Sequence, residues 1–153
     1  MKLSNKGRYA VRALFDIAFH NDGGPTQVKD IAERQAIPPR FLEQIFQDLK
    51  RAGIVSSKRG PQGGYSLARP ALDVRLGDVV RALEGPIALG DRDAGTRGKP
   101  STGDARRVTE SIFRDLSGQV EACFDKISIA DVCARAEELG MRRPGAQRHV
   151  YVI

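Results

Sequence analysis

The sequence predicts a mainly α-helical fold carrying one small β-hairpin, and three observations lead there. Apolar residues recur at helical spacing in successive segments of the first 85 residues. Strong Gly/Pro stop signals separate those segments. After the third segment, two short runs flank a Gly-rich loop, the pattern of a hairpin.

Residues 6–20 read as the first helix, with Tyr9, Ala10, Ala13, Leu14, Ile17 and Ala18 on one side. Asn21-Asp22-Gly23-Gly24-Pro25 ends it. Thr26 is of the right type to cap a second helix, whose Val28, Ile31 and Ala32 face inward. Pro38-Pro39 ends that helix near Ala36, and Pro39 suits the first turn of the next. The third helix turns Leu42, Ile45, Phe46, Leu49 and Ala52 inward and closes at Gly53. Ile54–Ser57 and Tyr65–Ala68 read as strands joined by the loop Lys58–Gly64. A fourth helix covers about Leu76–Leu83. The long helix Ala105–Phe124 carries Val108, Ile112, Phe113, Leu116, Val120 and Phe124 along one side. Ser128 to Asp131 has the form of a capping box opening a last helix that ends at Gly140.

Helix, turn, helix, hairpin, helix is the order of a winged helix-turn-helix, here with a small two-stranded β-wing and a long C-terminal dimerisation helix. The domains expected are 1–85, the winged DNA-binding unit; 86–104, a polar loop or linker; 105–140, dimerisation helices; and 141–153, a mobile tail.

The charge is unevenly spread. Residues 1–85 hold 14 Lys/Arg against 9 Asp/Glu, so +5 of the net +6 lies there; residues 111–153 balance at 6 against 6. A basic N-terminal half is the footprint of a phosphate-binding unit. The chain is 41% hydrophobic, enough to bury a core. No apolar run approaches the roughly 20 residues of a membrane span. Met1–Lys6 has no apolar signal-peptide core. A cytoplasmic protein with no membrane partner is expected. There is no nucleophile elbow, phosphate loop or recognisable carboxylate pair, so nothing points to an enzyme.

In a helix-turn-helix the second helix of the pair enters the major groove, N-terminal residues first. The third helix leaves Arg40, Phe41, Glu43, Gln44, Gln47, Asp48 and Lys50 outside. Gln pairs with adenine and Glu accepts from the cytosine amino group. A solvated polar face would look the same on an isolated helix; the hairpin behind it turns the reading toward DNA. In the loop, Lys58 and Arg59 sit on a backbone bent by Pro61 and freed by Gly60, Gly63 and Gly64, where close approach to phosphate is open. Arg59 is the type of side chain drawn into a narrow A·T-rich minor groove. The expected partners are a double-stranded DNA operator and a second copy of the chain. The other reading is a winged module that contacts proteins without DNA.

The residues also resemble a known family. Met1 to Val11, Phe41-Leu42-Glu43-Gln44-Ile45-Phe46 and Arg59-Gly60-Pro61-Gln62-Gly63-Gly64-Tyr65 are similar to the N-terminus, recognition helix and wing of the IscR-like (iron–sulfur cluster regulator) family of bacterial winged-helix transcriptional regulators. The likeness is near-continuous over 1–85 and resumes at Phe113–Leu116 and Ile127–Asp131. It implies a homodimer whose long helix crosses to its partner, with Glu43 and Gln44 reading bases and Arg59 in the minor groove.

The sensor departs from that family. Cluster-binding members place three cysteines and a histidine after the fourth helix. Here 86–110 has neither residue type, and Glu110 stands where the histidine would align. Relatives that sense nitric oxide carry an acidic residue where Arg8 stands. The expectation is therefore no cofactor and no metal site for this sequence. A [2Fe–2S] cluster would need a parent protein with cysteines in place of Ala94, Ser101 and Ala105, or an atypical site using Cys123. Cys123 and Cys133 themselves read as buried small hydrophobes or as thiol sensors, and His20 and His149 as surface residues.

Overall fold

The structure is a computed structural model and describes residues 3–89 and 104–144. Helices α1 (Asn5–Asn21), α2 (Val28–Gln35) and α3 (Pro39–Arg51) are followed by strands β1 (Val55–Lys58) and β2 (Gly64–Leu67). A 3₁₀ turn at Ala71–Asp73 leads into α4 (Leu76–Glu84), and α5 (Asp104–Lys126) and α6 (Ile129–Glu138) are the last of the described elements. The strands pair antiparallel, Val55 opposite Leu67 and Lys58 opposite Gly64.

The apolar stripes meet in one core. Leu14, Ile17 and Phe19 of α1 pack with Ile31 of α2 and with Leu42, Ile45, Phe46 and Leu49 of α3. Fully burying a side chain of this size is worth about 1.5–3 kcal/mol, so these stripes fix how the three helices cross. Ile54 and Val55 carry the core into the hairpin, and Tyr65 stacks on Phe46 with ring centroids 4.4 Å apart. Ile37, in the turn after α2, is also buried, whereas Ala52, expected to face inward, is exposed at the C-cap of α3.

Three local expectations are corrected. Thr26 does not cap α2: Gln27 holds that position without a side-chain bond. Thr26 is buried and exchanges two 2.9 Å backbone bonds with Tyr65, stitching the α1–α2 loop to the hairpin. Asp48 is half-buried rather than outside, paired with Lys6 at 2.6 Å. Within the segment 105–140, only α5 stands clear of the core. Helix α6 returns to α1, and its Ile129, Cys133 and Ala136 complete the core of the winged body. The Ser128 capping box forms as expected: Asp131 accepts from the Ser128 N–H at 2.8 Å, and the Ser128 hydroxyl oxygen accepts from the Asp131 N–H at 3.1 Å.

The tail is held as far as it is described. Arg143 reaches Glu137 at 2.5 Å and Asp22 at 3.5 Å, and its guanidinium lies over the Phe19 ring. Residues 145–153, His149 among them, lie outside the described residues, as do Ala94 and Ser101 of the loop.

Candidate nucleic-acid interface

The site begins with how α3 is held. Asp16 of α1 is fully buried, and Arg34 of α2 grips its carboxylate through Nε at 3.0 Å and Nη2 at 2.7 Å. Gln35 adds a third bond at 2.9 Å, and His20 stands 3.9 Å away. The hydrogen-bonded Asp16 carboxylate raises the Arg34 pKa. Arg12 donates to the Gln35 carbonyl and lies against Tyr9, whose ring meets Phe41 edge-on at 5.6 Å. The turn between α2 and α3 is thus fixed by groups on α1. His20 is half-buried in this cluster and is not a simple surface residue.

On that support α3 presents Arg40, Phe41, Glu43, Gln44, Gln47 and Lys50 to solvent. Phe41 is a large aromatic left 37% exposed at the helix N-terminus, beside polar neighbours. Lys50 donates to Ser57 of β1 at 2.7 Å and so ties the hairpin to α3. Arg40, Lys58 and Arg59 have no carboxylate within 4.0 Å among the described residues. Cations without internal partners keep their charge for an outside anion.

The hairpin loop stands beside α3. Gln27 holds the Pro61 carbonyl at 3.1 Å, so the loop is anchored to the start of α2. Two loop glycines are explained from within. A Cβ on Gly63 would strike the Lys58 carbonyl, and one on Gly64 (φ +137°) would strike the Thr26 carbonyl. Gly63 is buried, and together these residues shape the wing that carries Lys58, Arg59, Gly60 and Pro61 on its exposed surface.

The second unusual surface is α5. Val108, Ile112, Phe113 and Leu116 are 57%, 52%, 46% and 39% exposed, whereas Val120 and Phe124 are half-buried where α5 runs along α4. The sequence stripe is therefore real but only its C-terminal end is covered. Cys123, seven residues after Leu116, shares that side and is exposed, which removes the buried-hydrophobe reading for it. Cys133 is buried, and burial raises the pKa of its thiol.

An iron–sulfur cluster does not fit this donor set. Such clusters are held mainly by thiolates; the chain has two, one sealed in the α1–α6 core and one on the outer face of α5. Among the described residues, no three His, Cys, Asp or Glu side chains come together as a metal site.

A helix-turn-helix with a basic wing defines a class: winged-helix DNA-binding transcriptional regulators. A family model described as "Rrf2: Iron-dependent Transcriptional regulator" matches residues 3–135, and the chain belongs to that family. It is 37% identical to the HTH-type transcriptional regulator IscR of Vibrio atlanticus over 139 residues, which is 91% of this chain and 79% of the relative. It is 39% identical to IscR of Serratia proteamaculans over 132 residues, 86% and 79% of the two chains. Among solved structures, T. potens IscR superposes with a TM-score of 0.71 at 38% identity, covering 94% of this chain and 93% of that one. CymR, the global cysteine regulator of B. subtilis, gives 0.71 at 32% identity, covering 88% and 98%.

The protein is thus a DNA-binding transcription regulator and not an enzyme. The alternative of a winged module without DNA is set aside. No helix among the described residues is long and apolar enough to cross a membrane.

The Asp16–Arg34 clamp went unforeseen in the sequence. Its signal was an acidic residue inside the apolar arc of α1, between Ala13 and Ile17. A charge at a core position needs a buried partner.

Proposed function

We propose that the chain binds its operator as a homodimer, with α3 in the major groove and the wing over the adjacent minor groove. The observation that carries this reading is the pairing of two unfinished surfaces in one small body. One is a rigidly held polar face with unpaired cations beside it; the other is an apolar stripe on a long helix. Glu43 and Gln44 read base edges, and Arg40 and Lys58 contact phosphates. Arg59, with Gly60 and Pro61 at the wing tip, enters the minor groove. Phe41 meets a thymine methyl, the apolar feature the major groove offers. The exposed stripe Val108, Ile112, Phe113 and Leu116 is covered by the same helix of a second copy, with Val120 and Phe124 continuing the contact toward α4.

DNA selected from a random pool by the purified protein tests the reading. A two-fold symmetric site with half-sites about one helical turn apart is expected; a single unrepeated half-site would count against the dimer. The chain does this without a cluster, since its donors do not suit one. Anaerobic purification should yield a colourless protein that still binds the selected site. Stoichiometric iron with a visible absorption band would overturn that part and direct attention to Cys123.

A further inference from the structure

The winged body holds α5 along α4, where Val120 and Phe124 are half-buried, and a single guanidinium supplies the polar grip. Arg81 of α4 donates through Nη1 to Glu121 at 2.7 Å and through Nη2 to Asp125 at 2.7 Å. Those two carboxylates stand one turn apart on α5, so one planar group grips the helix at two points. The same guanidinium reaches Asp78 at 3.3 Å, and Asp78 in turn accepts from Arg69, at the foot of the wing, at 3.3 Å. The carboxylates raise the Arg81 pKa, so the charge is permanent. Beneath this lock Gly77 has no side chain; a Cβ there would collide with the Asp125 carboxylate. The far end of the contact is pinned by backbone, Leu76 N–H to the Ile127 carbonyl at 2.8 Å.

Along α5 the Leu89 N–H also donates to Ser117 Oγ at 2.7 Å, and Val120 and Phe124 lie half-buried toward α4; of these holds Arg81 is the charged one that grips two turns of the helix at once. The lever is long. Helix α5 has 23 residues, or about 34 Å, so a tilt of about 10° moves its far end by about 6 Å. Operator DNA advances about 3.4 Å per base pair, which makes that swing nearly two base pairs. We infer that Arg81 is a positioning residue for operator recognition: by clamping Glu121 and Asp125 it fixes the angle between α5 and the winged body, and so the separation of the two recognition helices in the dimer. This rests on the homodimer proposed above.

The test is binding to a set of operators whose half-sites are moved apart or together by one and two base pairs. The wild-type chain should show a sharp optimum. Arg81→Gln should keep the dimer in sedimentation and its affinity for random DNA. It should lose tenfold or more on the optimal operator and show a flattened spacing profile. Asp125→Asn, from the α5 side, and Gly77→Ala, which acts by steric push alone, should flatten it too. Arg81→Lys, which retains the charge but not the fork, should recover part of the sharpness. The two variants Asp125→Asn and Arg81→Lys keep the test decisive if Arg81→Gln proves unstable. A wild-type optimum shared unchanged by all variants overturns the positioning role and leaves the dimer standing. Equal losses on operator and random DNA overturn it as well. Absence of any optimum in the wild-type chain removes the dimer and this inference together.

Discussion

The winged body and the first half of α5 are opposites in how they treat apolar surface. In the winged body every helix turns its stripe inward, and Leu14, Ile17, Ile31, Leu42, Ile45 and Leu49 are wholly inaccessible. What remains outside is mostly polar and basic, with Phe41 and Leu72 as exposed apolar side chains. In α5 the stripe faces water: Ile112, Phe113 and Leu116 are each more than a third exposed. Both regions are incomplete, but for different chemistry. The first has a finished core and unpaired charge, which calls for a polyanion; the second has balanced charge and an unfinished core, which calls for apolar surface. On the proposed reading the difference separates recognition from assembly within 153 residues.

The comparison breaks most severely if a charge is placed in the uncovered stripe. Leu116→Glu is expected to abolish the dimer and operator binding together while leaving the thermal unfolding of the winged body intact, read by sedimentation and gel shift on the same sample. Loss of DNA binding with the dimer preserved would show that Leu116 does not lie at the assembly surface.

Changes on the recognition face should act on DNA alone. Gln44→Ala is expected to cost about 1–3 kcal/mol on the operator and little on random DNA, because a lost base contact is a loss of discrimination. Arg59→Ala should weaken binding most on sites with A·T-rich flanks. Titration of each variant on operator and on random duplex separates the two; equal losses on both would reduce these residues to phosphate contacts. Replacing thymine by uracil at each operator position should weaken the wild-type chain at one position per half-site and leave Phe41→Ala indifferent there. Unpaired cations also predict that affinity falls roughly tenfold or more between about 50 and 200 mM salt; a flat response would mean that the basic half does not carry the binding.

A smaller effect lies at the join between the regions. Ser128→Ala removes the cap of α6 and should cost about 1 kcal/mol of stability, measured by denaturant titration, with no change in operator specificity. Bonds from the Ser128 N–H and hydroxyl hold the Asp131 pKa below its ordinary value. A depressed carboxylate stabilises the fold above its ordinary titration range, and that contribution fades as pH falls through the folded-state value. The Ser128→Ala deficit should therefore narrow in acid; a deficit that grows in acid would contradict the capping geometry.

What could be read from the sequence was local. Helical spacing located α1 to α5, the Gly/Pro punctuation located the turns, and Ser128–Asp131 announced its own cap. These features depend on residues a few positions apart. The features that hold the site in place do not. Arg34 meets Asp16 across 18 residues and Arg81 meets Asp125 across 44, distances over which no periodicity carries information. Thr26 misled for a related reason. A threonine before a helix favours a cap, but its backbone was claimed by Tyr65, a tertiary partner that overrides local preference. Sequence order places α6 in one segment with α5, and only packing shows that Ile129 and Cys133 belong with α1.

The central claim is that recognition and assembly meet in one complex: two chains, each offering an α3, on one operator. Sedimentation equilibrium of the chain with a saturating selected duplex measures this directly. The account predicts two chains per duplex and, without DNA, a dimer at micromolar concentration. A monomer in solution that binds the duplex as a single chain would contradict it.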